Sequence, residues 1–159
     1  MNIAHSPADL LKQDEVLGMS GLEFMTGILE GRLPGPPIGH TMGYALHSVE
    51  DGRVVFRGAP SFAMTNPLGT VHGGWYGTLL DSAMACAVMT KVPKGSVYTT
   101  LEYKISIIRP IPLGMMIDCA GVIDHVGRST GVAKGEIRGV EDGKLYATGT
   151  TTCIVMKLA

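Results

Sequence analysis

Asn66-Pro67-Leu68-Gly69-Thr70-Val71-His72-Gly73-Gly74-Trp75-Tyr76-Gly77-Thr78-Leu79-Leu80-Asp81 is the stretch on which the fold turns. It starts as a polar loop and becomes a segment with apolar residues on most faces. Trp75, Leu79, Ala83 and Ala87 recur at a spacing of about 3.6, with Tyr76, Leu80, Met84 and Val88 alongside, which predicts a buried helix over 74–90. Gly77, Ser82, Ala83, Ala85, Cys86 and Ala87 keep that helix narrow, so strands can approach it closely.

The flanking sequence reads as strands. Residues 41–59 predict two strands around Glu50-Asp51-Gly52, with Asp-Gly as the hairpin signal. Four more strand-like runs come later, at 97–108, 115–126, 132–140 and 144–156. Turns at 109–114, 127–129 and 141–143 separate them, so successive hairpins make a mainly antiparallel sheet. The fold class is α+β, a sheet wrapped round a central helix. Residues 1–35 form a helical extension, in which Leu22, Met25, Ile28 and Leu29 lie at helical spacing. Leu33-Pro34-Gly35-Pro36-Pro37 stops any helix there, and residues 36–159 form the main domain.

The 159 residues suit one domain. With 17% charged residues and a net charge of −1, the chain offers no basic footprint for nucleic acid or for an anionic membrane. Sparse charge beside 45% hydrophobic content points to surface covered in a homo-oligomer. Cys86, Cys119 and Cys153 are widely spaced and read as free thiols in a reducing cytoplasm. The first residues have neither a basic nor an apolar signal region. Between Arg57 and Lys91 only Asp81 is charged, yet Pro60, Asn66, Pro67 and His72 interrupt that stretch, so no membrane span is expected.

Three patterns are decoys. Gly127-Arg128-Ser129-Thr130-Gly131 matches G-x-S-x-G, but Val132-Ala133-Lys134-Gly135-Glu136-Ile137 alternates like a strand, whereas a nucleophile elbow needs a helix there. The glycines of 69–74 lack the spacing of a phosphate loop. The five histidines form no metal-ligand pair, so no metal is expected.

Two features carry chemistry. The first amides of a helix lack internal partners, and the dipole adds partial positive charge there. Glycines at 73 and 74 bare those amides to a ligand oxygen, the chemistry of an oxyanion hole, or simply make a flexible helix start. Asp81 lies inside a helix that reads as buried, on a stripe of small residues with Gly74, Thr78 and Ala85. Desolvation raises the pKa of such a carboxylate and fits it to act as base or nucleophile.

Asn66, then His72-Gly73-Gly74, then an acid nine residues after the histidine resembles the PaaI-type (phenylacetate-pathway) branch of the hotdog-fold acyl-CoA thioesterases. The similarity runs over about 38–156 and includes Tyr103-Lys104-Ile105-Ser106-Ile107-Ile108-Arg109-Pro110, Gly127-Arg128 and Ala147-Thr148-Gly149-Thr150-Thr151. The resemblance implies a hotdog fold, paired subunits and hydrolysis of an acyl-CoA with an aryl, short- or medium-chain acyl group. No metal or organic cofactor is implied, coenzyme A being part of the substrate. Gly73 would supply the oxyanion N–H and Asp81 the nucleophile or general base. Asn66 would position water or the thioester, and His72 would shape the loop and touch the thioester carbonyl. Thr100, or Thr99 beside it, would hold the acid or the water. Gly74, Arg109, Arg128, Ser129, Thr130 and Lys134 are the candidates for substrate binding, the cations for the CoA phosphates. A hotdog hydratase or dehydratase, or a non-catalytic acyl-CoA-binding module, is the alternative.

Overall fold

The computed structural model describes residues 2–158. Six antiparallel strands, β1 (Tyr44–Glu50), β2 (Arg53–Gly58), β3 (Ser96–Ile107), β4 (Ile117–Val126), β5 (Thr130–Gly139) and β6 (Leu145–Lys157), form one sheet in the order β1-β2-β4-β5-β6-β3. Helices α1 (Gln13–Leu17), α2 (Gly21–Leu29) and α3 (Pro37–Met42) precede it, and α4 (Gly73–Met89) lies against its concave face. This is the hotdog fold.

The expected strands and central helix are all present. The segment before β1 differs. A strand is expected from residue 41, yet Pro37–Met42 is a short helix with proline in its first turn. Proline there loses only an amide that has no partner in any case, so the Pro-rich run that stops one helix starts another. Gly43, at φ +72°, ends α3 in the left-handed conformation and turns the chain into β1.

α4 is 17 residues long, about 25 Å. Its side chains Leu79, Leu80, Ala83, Met84, Ala87 and Val88 are fully buried. The narrow helix admits strands as the sequence implies: a Cβ at Gly121 of β4 would collide with the backbone of Ala83. The extension packs on the same body. Met25 and Ile28 of α2 share a hydrophobic cluster with Leu46, Val54, Met89, Val92 and Val155, and the Gly21 amide donates to the Val92 carbonyl.

One irregularity positions the site. In the β3–β6 register Thr100 pairs with Cys153 and Glu102 with Thr152, leaving Leu101 as a bulge. Strict alternation from Tyr98 and Thr100 would turn Glu102, Lys104 and Ser106 towards the helix. The extra residue flips the parity, so Tyr103, Ile105 and Ile107 face it instead. Tyr103 accordingly lies beside Gly77 and Ile107 beside Gly73, while Ile105 joins the core.

Candidate active site

The start of α4 is set by His72, its N-cap. The His72 backbone N–H donates to the Met64 carbonyl at 2.8 Å, and its Nδ1 accepts the Gly74 N–H at 2.9 Å. The ring is therefore a neutral acceptor that caps the helix. The Gly73 N–H makes no hydrogen bond among the described residues. A Cβ at Gly73 would meet only the Ile107 side chain, at 3.6 Å, so the backbone there is uncrowded on its side-chain side. A Cβ at Gly74 would press on the His72 ring at 3.0 Å, so glycine there preserves the cap.

Asn66 organises the loop that leads in. Its Oδ1 accepts from the amides of Leu68 (2.9 Å) and Thr70 (3.3 Å), and its Nδ2 donates to Thr70 Oγ1 (2.8 Å). The hydrogen bonds of the carboxamide thus all lie within residues 66–70, in the manner of an Asx turn, and use one of its two Nδ2 hydrogens.

Asp81 is half-buried on α4, and Thr100 Oγ1 donates to its Oδ1 at 3.0 Å. Of the two threonines, Thr100 faces the acid; Thr99, its neighbour in an alternating strand, is exposed. Burial raises the Asp81 pKa above the ordinary carboxylate value, and the Thr100 hydrogen bond opposes part of that rise. The result is a more basic carboxylate held in one orientation. Tyr44, which composition and spacing do not single out, adds polar order one helix position away: its hydroxyl lies 3.0 Å from Ser82 Oγ. Ser82 donates to the Thr78 carbonyl at 2.9 Å.

Gly73 and Asp81 are eight residues apart on one unbroken helix, about 12 Å along its axis. Within one chain the structure does not bring the free amide and the carboxylate together. Nor does it bring Asn66 to Asp81, since the Asn66 polar atoms are all engaged locally.

The binding candidates divide between the two ends of α4. Arg109 donates to the Leu145 carbonyl and lines a shallow depression with Thr70, Val71 and Tyr76 near the Gly73 end. Arg128, Ser129 and Thr130 are exposed at the β4–β5 turn, beside the far end of the helix, where Gly131 touches Val88. Lys134 is on the face of β5 turned away from the helix and pairs with Asp124 at 2.8 Å. Among the described residues no three His, Cys, Asp or Glu side chains converge as metal ligands, and no helix is long and apolar enough to cross a membrane. Cys86, Cys119 and Cys153 are free, and burial pushes the Cys86 thiol up to about 12.

A helix cradled by an antiparallel sheet, with a bare amide at its start and a desolvated carboxylate midway, places the chain among the hotdog-fold proteins. The family model for the thioesterase superfamily matches residues 68–146, and the chain belongs to that superfamily, in its PaaI-type hotdog branch. A phenylacetic acid degradation-related protein of Ralstonia eutropha is 30% identical, with a TM-score of 0.75 over 82% of this chain and 98% of that one. A hypothetical thioesterase of Streptococcus pneumoniae, solved with coenzyme A, is 27% identical, with a TM-score of 0.65 over 73% of this chain and 88% of that one. Mouse acyl-coenzyme A thioesterase 13 is 32% identical over 88 residues, 55% of this chain and 62% of that protein. The chain spans about half to three-fifths of the length of the curated relatives it matches.

Proposed function

We propose that the protein hydrolyses an acyl-CoA thioester to the free acid and CoA, at a site shared by two chains. The observation that carries this reading is Asp81, desolvated and aligned by Thr100, on the helix that begins at the free Gly73 amide. An oxyanion donor and an attacking group must both come within about 3 Å of one thioester. Their separation of about 12 Å in one chain therefore calls for a two-fold partner, whose Gly73 meets this chain's Asp81. The β3 edge supports such pairing. It is 12 residues long, borders the sheet, and exposes Leu101 (59%), Ile107 (47%) and the adjoining Ile108 (47%), the kind of edge that proteins otherwise protect.

In the reaction the Asp81 carboxylate takes a proton from water, whose oxygen attacks the carbonyl carbon. The tetrahedral oxyanion accepts the Gly73 N–H. Collapse breaks the C–S bond, and the thiolate leaves with the proton held by Asp81. In the variant in which Asp81 attacks directly, the thiolate leaves and water hydrolyses an acyl-aspartyl anhydride, placing its oxygen on Asp81 if it attacks the aspartyl carbonyl and in the product acid if it attacks the acyl carbonyl. Label on Asp81 after a single turnover in 18O-water therefore identifies direct attack, since base-assisted attack by water never labels Asp81. His72 serves as cap, since its Nδ1 is occupied by Gly74, which counts against a hydratase that needs a free histidine base. Asn66 holds the 66–70 loop in place and keeps one Nδ2 N–H beyond the one it gives Thr70. In the paired arrangement Arg109 of the chain giving Gly73, and the Arg128–Thr130 turn of the chain giving Asp81, flank the CoA phosphates. No metal or organic cofactor is needed, because a thioester is already activated. The test is release of CoA thiol from a panel of acyl-CoAs by wild type and Asp81→Asn. Thiol release by wild type that Asp81→Asn abolishes supports the reading, and equal rates refute it.

A further inference from the structure

A cavity of about 600 Å³ lies between the N-terminal extension and the body of the domain. Leu11, Phe24 and Ile28 of the extension line one side, and Ser82, Cys86 and Tyr98 the other. Ser82 adjoins Asp81 in sequence, and Tyr98 lies two residues from Thr100 on the same face of β3. The inner wall of the cavity therefore begins one residue from the carboxylate that serves the thioester reaction.

The lining has almost no polar recognition to offer. Arg57, its one formally charged side chain besides the titratable His40, is held by Asp118 through two hydrogen bonds of 2.6 and 2.8 Å. The Tyr44 hydroxyl is engaged by Ser82, and no buried side-chain nitrogen or oxygen among the described residues lacks a partner. A ligand with polar groups along its length would bury them unsatisfied. The volume lies in the range of about 300–1,000 Å³ typical of small-ligand sites. At roughly 30 Å³ per water-sized group it holds about 20 such groups when full, far more than an acetyl or a phenylacetyl group supplies.

We propose that this cavity is the acyl chamber, that the N-terminal extension forms its roof, and that it selects a flexible long aliphatic acyl chain, of up to about 20 carbons, over short-chain and aryl acyl groups. This deepens the thioesterase reading and rests on it for the identity of the head group. The extension is then a specificity element: Leu11, Phe24 and Ile28 close over the chain and set its length.

The test uses S-dodecyl-CoA and S-butyl-CoA, thioethers that no thioesterase cleaves, with binding measured by calorimetry on the full-length protein. Leu11→Trp fills the chamber from the extension and Cys86→Phe fills it from α4, on the inner wall. Wild type should bind the dodecyl ligand at least tenfold more tightly than the butyl ligand, and each filling variant should cut that ratio by about tenfold. Equal affinities in wild type would overturn the proposal, and so would a ratio that folded variants of both kinds leave intact. Wild-type kcat/KM across acyl-CoAs, including phenylacetyl-CoA, gives a second reading: a maximum at about 12 carbons or longer supports the chamber, and a maximum at shorter-chain or aryl substrates refutes it. Should no acyl-CoA be hydrolysed at all, the thioesterase reading fails while the thioether ratio still decides the chamber.

Discussion

Thr100→Val tests whether Asp81 is held ready by its neighbour. The replacement keeps the β-branched shape that suits β3 and removes the hydroxyl that donates to Asp81 Oδ1 at 3.0 Å. A hydrogen bond to a charged group contributes about 1.5–3 kcal/mol, and solvent at the half-buried Asp81 reduces that to about 1–2 kcal/mol. On the rate this is a five- to thirtyfold fall in kcat, by about 1.4 kcal/mol per decade. The pH dependence carries the more specific signature. Burial raises the Asp81 pKa and the Thr100 bond lowers it, so removing the bond lets the pKa climb further. The acid limb of the kcat/KM profile, where activity falls as Asp81 takes a proton, should move to higher pH in Thr100→Val. Thr100→Ser, which restores the donor, should return the limb to its wild-type position. A folded Thr100→Val enzyme with lower kcat and an unmoved acid limb would show that Thr100 acts only through packing. Unchanged kcat and an unmoved limb would remove Thr100 from the site.

Asp81→Asn should lower kcat by a hundredfold or more, on the order of 3 kcal/mol, and should raise Tm at neutral pH. A raised folded pKa means that this group favours folding only at acid pH, and the benefit is lost as pH rises through the folded value, so at pH 7 its charge opposes folding. Thermal melts at pH 7 that show no gain would contradict the desolvation. Asn66→Ala should lower kcat/KM by roughly ten- to a hundredfold, less than the Asp81 change, because it loosens the 66–70 loop that leads to Gly73; steady-state kinetics with an unchanged kcat/KM would reduce Asn66 to a turn residue without influence on the site. Asp118, whose pKa the Arg57 pair depresses, has the opposite sign. Its contribution is present above the ordinary carboxylate range and lost as pH falls through the depressed value, so Asp118→Asn should lower Tm at pH 7 and narrow the gap between pH 7 and pH 3.

Much of this architecture is legible in the chain, because periodicity reports burial directly. The helix reads out through Trp75, Leu79, Ala83 and Ala87, and α4 falls within a residue of its expected span. Asp81 stands out as the one charge in a long apolar stretch, and Gly73 as bare backbone at a helix start. What escapes depends on geometry that no local pattern encodes. Pro36-Pro37 reads as a stop although proline also starts helices, which hides α3. The Leu101 bulge leaves no mark in composition; its one trace is that simple alternation would turn Glu102 and Lys104 inward. Tyr44 and Ser82 meet across 38 residues, and Leu11 shares a cavity with Cys86 across 75 residues. Such pairings appear only when the chain is folded. Asn66 shows the reverse limit, since its residue type suits both a positioning group and a turn, and its hydrogen bonds in this structure are those of the turn.

The sharing of each site between two chains is tested most directly by complementation between Asp81→Asn and Gly73→Pro. Proline fits at 73: it is the first helical residue, its N–H has no partner, His72 before it is already extended at ψ 138°, and only Ile107 is near. Each variant alone lacks one half of every site. When the two are mixed and allowed to exchange, half of the dimers pair unlike chains, and one of the two sites in each holds both Asp81 and the Gly73 amide. The activity per site should recover to roughly a quarter of wild type. Mixed dimers of folded subunits that remain as inactive as either variant alone would contradict a site built from two chains.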